Sequence, residues 1–120
     1  MYLLDSNIII YYADKKYACL DIIFEQETLY VSAITRLEVL GYHRIGNLKP
    51  LFEQLFAEFT VISISNSIID SAISIRQQKS MSLGDSIIYA TALQNDLTIV
   101  TRNTKDFYRL ENINIYNPFE

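Results

Sequence analysis

The residues best suited to chemistry in this sequence are acidic or amide side chains, each at a predicted junction between a strand and a helix or on a helix after one. They are Asp5, Glu38, Asp85, Asn103 and Asp106. Carboxylates gathered in one cleft repel one another and destabilise a fold unless they share a cation. Oxygen ligands without a His or Cys cluster suit Mg²⁺ or Mn²⁺ rather than zinc. The pattern predicts such a site if the fold brings these residues together.

The first three acidic residues each have an ordinary structural explanation as well. Asp5 can cap a helix, and the dipole of a helix favours Asp85 in its first turn. Glu38 shares a helical face with an apolar stripe formed by Ile34, Leu37, Gly41 and Ile45. A carboxylate in that stripe is costly unless it is paired, bound to a metal, or at the margin, where its head can reach water, Arg36 or Arg44.

The segment 101–106 follows a predicted strand and offers two candidates for a fourth ligand. Asn103 can supply a carbonyl oxygen and Asp106 a full charge, although an ordinary Asn- and Thr-rich turn, with Asp106 capping a short helix, explains both. If the segment is helical, three basic residues spaced by three and four form one stripe that could steer phosphate groups. These are Arg102, Lys105 and Arg109. A solvated helix face is the alternative.

The elements that must position these residues alternate between strand and helix. β-Branched and apolar runs predict strands at residues 2–4, 28–31, 60–64, 97–100 and 113–116. Helices are predicted at residues 8–13, 18–25, 33–45, from near Pro50 to about 59, after a cap at Asn66 or Ser67, and at 84–95. This order favours a three-layer α/β/α sandwich around a mostly parallel sheet of four to five strands. Ligands of such sheets lie at the carboxyl ends of the strands.

Composition fits one small domain covering residues 1–120. Half of the 120 residues are hydrophobic, no apolar run could span a membrane, and no basic leader is present. The single cysteine, Cys19, is expected to be a packed apolar thiol in the reducing cytoplasm. A net charge of −4 argues against a broad nucleic-acid-binding surface, although a local metal site and nearby cations could still engage RNA.

Four motifs, at residues 4–7, 32–38, 83–92 and 100–107, resemble those of the PIN-domain family in order and spacing. The size and motif style are similar to VapC-type toxins of toxin–antitoxin pairs. The resemblance implies a ribonuclease dependent on Mg²⁺ or Mn²⁺, in which metal-activated water attacks an RNA phosphodiester. It also implies a homodimer and silencing by an antitoxin, for which the helices of residues 33–59 are the candidate groove.

The same resemblance implies a role for each matching position. Asp5 and Asp85 would be the principal metal ligands, and Glu38 would complete the site directly or through water. The fourth family position is commonly acidic, so Asn103 is a departure, and either it or Asp106 closes the cluster. The supporting positions are Asn7 and Thr101.

Other classes fit less well. His43 is the only histidine, whereas a pancreatic-type ribonuclease commonly uses two. The third predicted strand ends without the phosphoacceptor Asp of response-regulator receivers, and Asn7 stands where haloacid-dehalogenase phosphatases carry their second Asp. The serious alternative is a catalytically degenerate PIN fold that serves as a protein-binding scaffold.

Overall fold

The computed structural model describes residues 1–107 and 112–120, and its centre is a five-stranded sheet. Every strand pairing in the sheet is parallel, and the strand order is β3-β2-β1-β4-β5. The strands are β1 (Tyr2–Leu4), β2 (Leu29–Ser32), β3 (Thr60–Ile62), β4 (Thr98–Val100) and β5 (Ile115–Tyr116). The predicted parallel sheet is therefore confirmed, with β3 and β5 two residues shorter than predicted.

Helices follow the strands and cover both faces of the sheet. They are α1 (Ser6–Ala13), α2 (Asp21–Phe24), α3 (Ala33–Leu40), α4 (Lys49–Glu58), α5 (Asn66–Gln78) and α6 (Leu83–Asn95). Short 3₁₀ turns are also present at Ala18–Leu20, Gly46–Leu48 and Thr104–Asp106. The helix predicted at residues 18–25 is thus a 3₁₀ turn followed by α2.

Two hydrophobic cores lie on opposite sides of the central strands. Leu4 and Val100 enter one core, whereas Leu3 and Ile99 enter the other, because successive side chains of a strand point to opposite faces. All four of these side chains are fully buried. The alternation confirms the three-layer α/β/α sandwich, and it fixes β1 and β4 as the rigid centre from which the candidate site extends.

Side-chain caps form the junctions between several strands or loops and the helices that follow. Asp5 caps α1 and Ser32 caps α3, as the sequence predicts. Ser65 caps α5, so the predicted cap at Asn66 or Ser67 is wrong by one or two residues. A residue that caps the start of a helix has an extended backbone and directly precedes the first helical residue, and Ser65 meets both conditions.

Helix α3 is shorter than predicted, and its buried face differs from the predicted stripe. The helix ends at Leu40 instead of near residue 45. At this end the Gly41 N–H donates to the Leu37 carbonyl at 2.8 Å. Thr35 and Val39 are its buried residues, whereas Leu37 is 66% exposed. The stripe prediction was wrong because it needed a helix continuing to Ile45 to bring all four apolar residues onto one buried face.

Two surface features complete the fold. Cys19 is exposed, so the expectation of a packed thiol was wrong; the short turn at Ala18–Leu20 buries Leu20 instead. Among the described residues, no helix combines the length and the apolar character needed to cross a membrane.

Candidate active site

Asp5 is the most constrained acidic residue at the carboxyl edge of the sheet. Only 6% of its surface is exposed, and one of its oxygens, Oδ1, accepts the Ser6 N–H at 2.8 Å as the cap of α1. The other oxygen, Oδ2, accepts the Thr101 hydroxyl at 2.7 Å and the Asn7 amide at 3.3 Å. Since Thr101 follows β4, these bonds join the ends of the two central strands and fix the carboxylate.

The environment of Asp5 opposes its negative charge. Burial raises the pKa of Asp5 from 3.8 to about 6, because the carboxylate has lost most of its hydration. The hydrogen bond from Thr101 lowers this pKa, whereas the charges of Asp85 and Glu38 raise it further. The three carboxylates are therefore close enough to interact electrostatically, although they belong to different elements of the chain.

Glu38 reaches this edge from α3, although it is an exposed residue. Its Oε1 accepts the Ser6 hydroxyl at 3.0 Å, so it lies beside the residue that follows Asp5. Its Oε2 lies against Gly84, where an added Cβ would be only 3.1 Å away. The absence of a side chain at Gly84 thus leaves room for the Glu38 carboxylate next to the start of α6.

Asp85 lies in the first turn of α6, where Ser82 is the cap and its hydroxyl oxygen accepts the Asp85 N–H at 3.1 Å. Burial raises the pKa of Asp85, the interaction with Ser82 lowers it, the charge of Asp106 raises it and that of Lys79 lowers it. Residues of the same helix face, Ile88, Tyr89 and Ala92, are buried, so this face of α6 points towards the core.

A pocket of about 300 Å³ surrounds the outer side of Asp85. Asp106 lines it together with two lysines, Lys79 and Lys105, and the Lys79 ammonium donates to the Asp106 carbonyl at 3.0 Å. The pocket therefore contains two carboxylates and two lysine side chains, so each acidic residue has a positive charge nearby.

Asn103 and Asp106, the two candidates for the fourth position, have different surroundings. Asn103 is exposed, and its backbone N–H donates to the Thr101 hydroxyl oxygen at 3.0 Å. Asp106 is partly buried and lies close enough to Asp85 to change its pKa. Within the described part of the chain, Asp106 is thus the one of the two that lines a pocket together with Asp85 and raises its pKa.

Among the described residues, Arg102 and Lys105 do not share a helix, as the predicted stripe of three basic residues would require. Arg102 precedes the short 3₁₀ turn and lies over aromatic rings, whereas Lys105 lies within that turn and lines the pocket beside Asp85. The stripe required one continuous helix, which the turn at Thr104–Asp106 does not provide. Arg109, and the short helix predicted after Asp106, lie outside the described residues.

The donor set fits a hard divalent cation, although the carboxylates are not drawn together. Every candidate ligand at this edge is an oxygen, as Mg²⁺ and Mn²⁺ prefer. Within residues 1–107 and 112–120, no three His, Cys, Asp or Glu side chains form a ready-made metal site. Uncompensated carboxylates repel one another, so a cation would have to draw Asp85 or Glu38 closer to the fixed Asp5.

Several contributors to this edge were missed from the sequence. Ser6 bonds Glu38, Ser82 caps the helix of Asp85, and Lys79 bonds the Asp106 backbone. The position of Ser82, three residues before Asp85, is a signal typical of a helix cap and could have been found. No local signal identifies Lys79, because its contact depends on how the chain after β4 folds back.

Comparisons with known proteins agree with this architecture. The PIN domain family model matches residues 2–113, and the chain belongs to that family. Its members are in general nucleases that depend on divalent metal ions. No curated protein matches this chain significantly in sequence.

Solved structures of toxin–antitoxin systems share the fold over nearly the whole chain. A chain of a toxin–antitoxin complex from Klebsiella pneumoniae is 29% identical, with a TM-score of 0.85 over 100% of this chain and 99% of that one. FitAcB from Neisseria gonorrhoeae is 24% identical, with a TM-score of 0.82, 100% of this chain covered and 99% of the other. DNA-bound VapBC from Salmonella typhimurium is 22% identical, with a TM-score of 0.82 and coverages of 98% and 97%. The last two likenesses concern the fold alone.

Proposed function

We propose that this chain is a metal-dependent endoribonuclease and the toxin of a VapBC-type toxin–antitoxin pair, with residues 1–120 as one PIN domain. The observation that carries the proposal is the buried carboxylate of Asp5, fixed by Thr101 and facing the charges of Asp85 and Glu38. The hydrogen bonds of Asp5 stabilise the fold, but its negative charge does not, because desolvation and like charges both oppose it. Binding of a cation would compensate for the cost.

In this proposal Asp5 and Asp85 are the principal ligands of Mg²⁺ or Mn²⁺, and Glu38 completes the set directly or through water. The ion would supply a Lewis acid and a water of lowered pKa for attack on a phosphodiester. Thr101 and Asn7 hold the Asp5 carboxylate in one orientation through their bonds to Oδ2. Ser6 holds the Glu38 carboxylate near the same edge.

Asp106, not Asn103, is proposed as the fourth acidic residue. Its charge raises the pKa of Asp85, and both residues line the same pocket. Lys105, in that pocket, and Arg102 and Arg109 are proposed to contact the RNA backbone, as local cations on an otherwise acidic protein.

Similarity to the Klebsiella complex supports an antitoxin partner for this chain. The proposed groove lies along residues 33–59, which include α3, α4 and the connection between them, and here Leu37, Tyr42 and Leu48 are 66%, 52% and 47% exposed. Apolar side chains exposed to this extent can be covered by an apolar segment of a partner. We also propose a homodimer in the cytoplasm, with Ile10 of α1 and Ile22 of α2, both exposed, as candidates for the dimer surface.

The direct test is cleavage of RNA by the purified full-length chain, with EDTA, Mg²⁺ or Mn²⁺. We expect cleavage only with metal, and its loss in Asp5→Asn and Asp85→Asn. Asp70→Asn is the matched control, because it removes an exposed carboxylate of α5 that lies outside the candidate site.

Thermal unfolding with and without Mn²⁺ separates the enzyme from the degenerate scaffold. The enzyme should be stabilised by the metal, as any ligand that binds only the folded state stabilises it. Asp5→Asn should abolish that shift and Asp70→Asn should retain it. A wild-type chain with neither metal-linked stabilisation nor RNA cleavage would favour the scaffold and refute the proposed nuclease.

A further inference from the structure

We infer that an aromatic cage holds Arg102 as a preformed phosphate-binding group at one side of the candidate active site. The cage consists of Tyr11, Tyr17 and Phe119. The ligand in this inference is a backbone phosphate of the RNA substrate, so the inference rests on the proposed function and deepens it. The three rings would be positioning residues, acting through the guanidinium and not on the phosphate itself.

The geometry of the cage is well defined. The Arg102 guanidinium carbon lies 4.4 Å from the ring centroid of Phe119, 5.0 Å from that of Tyr11 and 5.9 Å from that of Tyr17. The rings also contact one another edge to face, with centroid separations of 5.2 to 5.4 Å. Each of these distances is typical of favourable cation–π and aromatic contacts. The cage thus restricts a side chain that would otherwise be flexible.

The cage satisfies the guanidinium only in part. Ring contacts use the faces of the planar group, while its N–H donors point outward from its edges. In the described portion of the chain, no carboxylate lies within ion-pair distance of Arg102; the ion pair observed there joins Lys16 to Asp14. Arg102 is also exposed. A fixed cation with accessible donors and no carboxylate partner matches the geometry of a phosphate, which can accept two parallel N–H bonds.

The cage is attached to the candidate site through the backbone. Arg102 follows Thr101, whose hydroxyl bonds Asp5, and the Arg102 N–H makes a long hydrogen bond of 3.5 Å to Oδ1 of Asn7. Tyr11 is on α1, the helix that Asp5 caps. The cation is therefore built on the same two junctions that fix Asp5, whereas Lys79 and Lys105 lie on the Asp85 side.

Positioning by the cage reduces the loss of side-chain freedom when RNA binds. A free arginine must give up much of its rotamer freedom to hold a phosphate, and prior ordering removes part of that cost. The contact carries no base readout, so it should improve binding of RNA irrespective of sequence.

Arg102→Met tests the contact, since Met retains much of the apolar bulk without charge or N–H donors. With the full-length chain, Mn²⁺ and a single-stranded RNA oligonucleotide, we expect KM to rise roughly tenfold with little change in kcat. The slope of log KM against log salt should fall by about 0.7, the value for one phosphate contact on a single strand. Arg44→Met, which removes another exposed arginine, is the control and should change neither quantity.

Phe119→Leu tests the cage, because it removes the nearest ring and leaves Arg102 in place. KM should rise by a smaller factor than in Arg102→Met, and Phe119→Tyr should restore it. Thermal unfolding of each variant reports its packing separately. If Arg102→Met and wild type cleave RNA with the same KM and salt slope, the cage is only structural and the inference is wrong, although the proposed nuclease stands. If wild type does not cleave RNA, the proposed function fails as well.

Discussion

The candidate site has two halves, one around Asp5 and one around Asp85, and the surroundings of the negative charge differ between them. On the β1 and β4 side, Asp5 is buried and held by hydrogen bonds, chiefly from Thr101 and Ser6. On the α6 side, Asp85 is only partly buried; burial still raises its pKa, and the charge of Lys79 offsets part of that rise. Hydrogen bonds hold the carboxylate of Asp5 in place, whereas a nearby lysine partly compensates the charge of Asp85.

This difference indicates what each half contributes. Hydrogen bonds across the ends of two central strands fix the position of Asp5 but leave its charge poorly compensated. Asp85 is less buried than Asp5 and lines an open pocket together with Lys79 and Lys105. A metal would gain its fixed point from Asp5 and its adaptable ligand from Asp85, so mutations in the two halves should have distinguishable effects.

Asp5→Asn should give the largest effect and the clearest separation of the halves. Loss of a principal metal ligand should lower RNA cleavage by roughly a thousandfold, since Lewis-acid stabilisation contributes several kcal/mol. Without metal, the same variant should be more stable than wild type, because a desolvated charge has been removed. Asp85→Asn should lose activity comparably but gain less stability.

RNA cleavage rates and urea unfolding in EDTA measure the two effects. Asp70→Asn controls for the loss of one carboxylate from the protein as a whole. Equal stabilisation by Asp5→Asn and Asp85→Asn would contradict the contrast between the halves, even if both variants were inactive.

The pH dependence of stability should reveal the buried charge of Asp5 directly. Its folded pKa of about 6 exceeds the ordinary value of 3.8, so the folded state binds the proton more tightly. The resulting stabilisation is complete below pH 4 and is lost as the pH rises through 6, a total of roughly 3 kcal/mol. Asp85, whose pKa is also raised, adds to the same trend.

The measurement is the free energy of unfolding between pH 4 and 8 in EDTA, for wild type and Asp5→Asn. The difference between the two curves isolates the contribution of Asp5 from those of all other groups. We expect wild type to lose stability relative to the variant as the pH rises from 4 to 7. Parallel curves would show that Asp5 is not buried as a charge.

Thr101→Val should have an intermediate effect. The substitution keeps the shape but removes the hydroxyl that donates to Asp5 and accepts the Asn103 N–H. Loss of a residue that orients a ligand typically lowers metal affinity or activity by about 10- to 100-fold. Folding should also be weakened by about 1–3 kcal/mol, because buried groups lose their partner.

Thr35→Val is a matched control for Thr101→Val. Both hydroxyls are fully buried, but that of Thr35 has no hydrogen-bond partner among the described residues. We expect its removal to leave metal affinity unchanged and to be neutral or stabilising for folding. Manganese titration and thermal unfolding of the two variants make the comparison. Similar losses in both would show that the Thr101–Asp5 bond has no special role.

The sequence predicted the central sheet better than the contacts made by the acidic residues. The runs at β1 and β4 are short and apolar, and a strand of this kind is buried wherever it lies in a parallel sheet. Asp5 could be placed at this edge because it follows β1 and a general rule relates strand ends to ligand sites, whereas Asp85 lies at the start of a helix that follows α5 and not a strand. That rule fixes where a residue lies on the sheet, but not what its side chain touches.

The predictions that failed depended on packing between distant segments. Helical periodicity alone continued α3 towards Ile45, whereas Gly41 ends the helix. Spacing alone placed Arg102 in a stripe with Lys105. In the structure the guanidinium of Arg102 packs on the ring of Phe119, which follows the last strand. Neither outcome can be read from local propensity, because tertiary contacts decide where each side chain lies.

Gly84→Ala should give the smallest effect. It tests the contact between Glu38 and the start of α6, where the two halves of the site meet. The new methyl group would lie 3.1 Å from Oε2 of Glu38, and this side chain is exposed and able to move aside. Ala favours a helix over Gly by up to about 1 kcal/mol, so thermal stability should rise slightly. If Glu38 completes the metal set, cleavage should fall a few-fold as its carboxylate is displaced. Combining Gly84→Ala with Glu38→Gln should add little further loss, since both act through one carboxylate. Independent losses in the double variant would mean that Gly84 accommodates something other than Glu38, most directly the substrate beside Asp85.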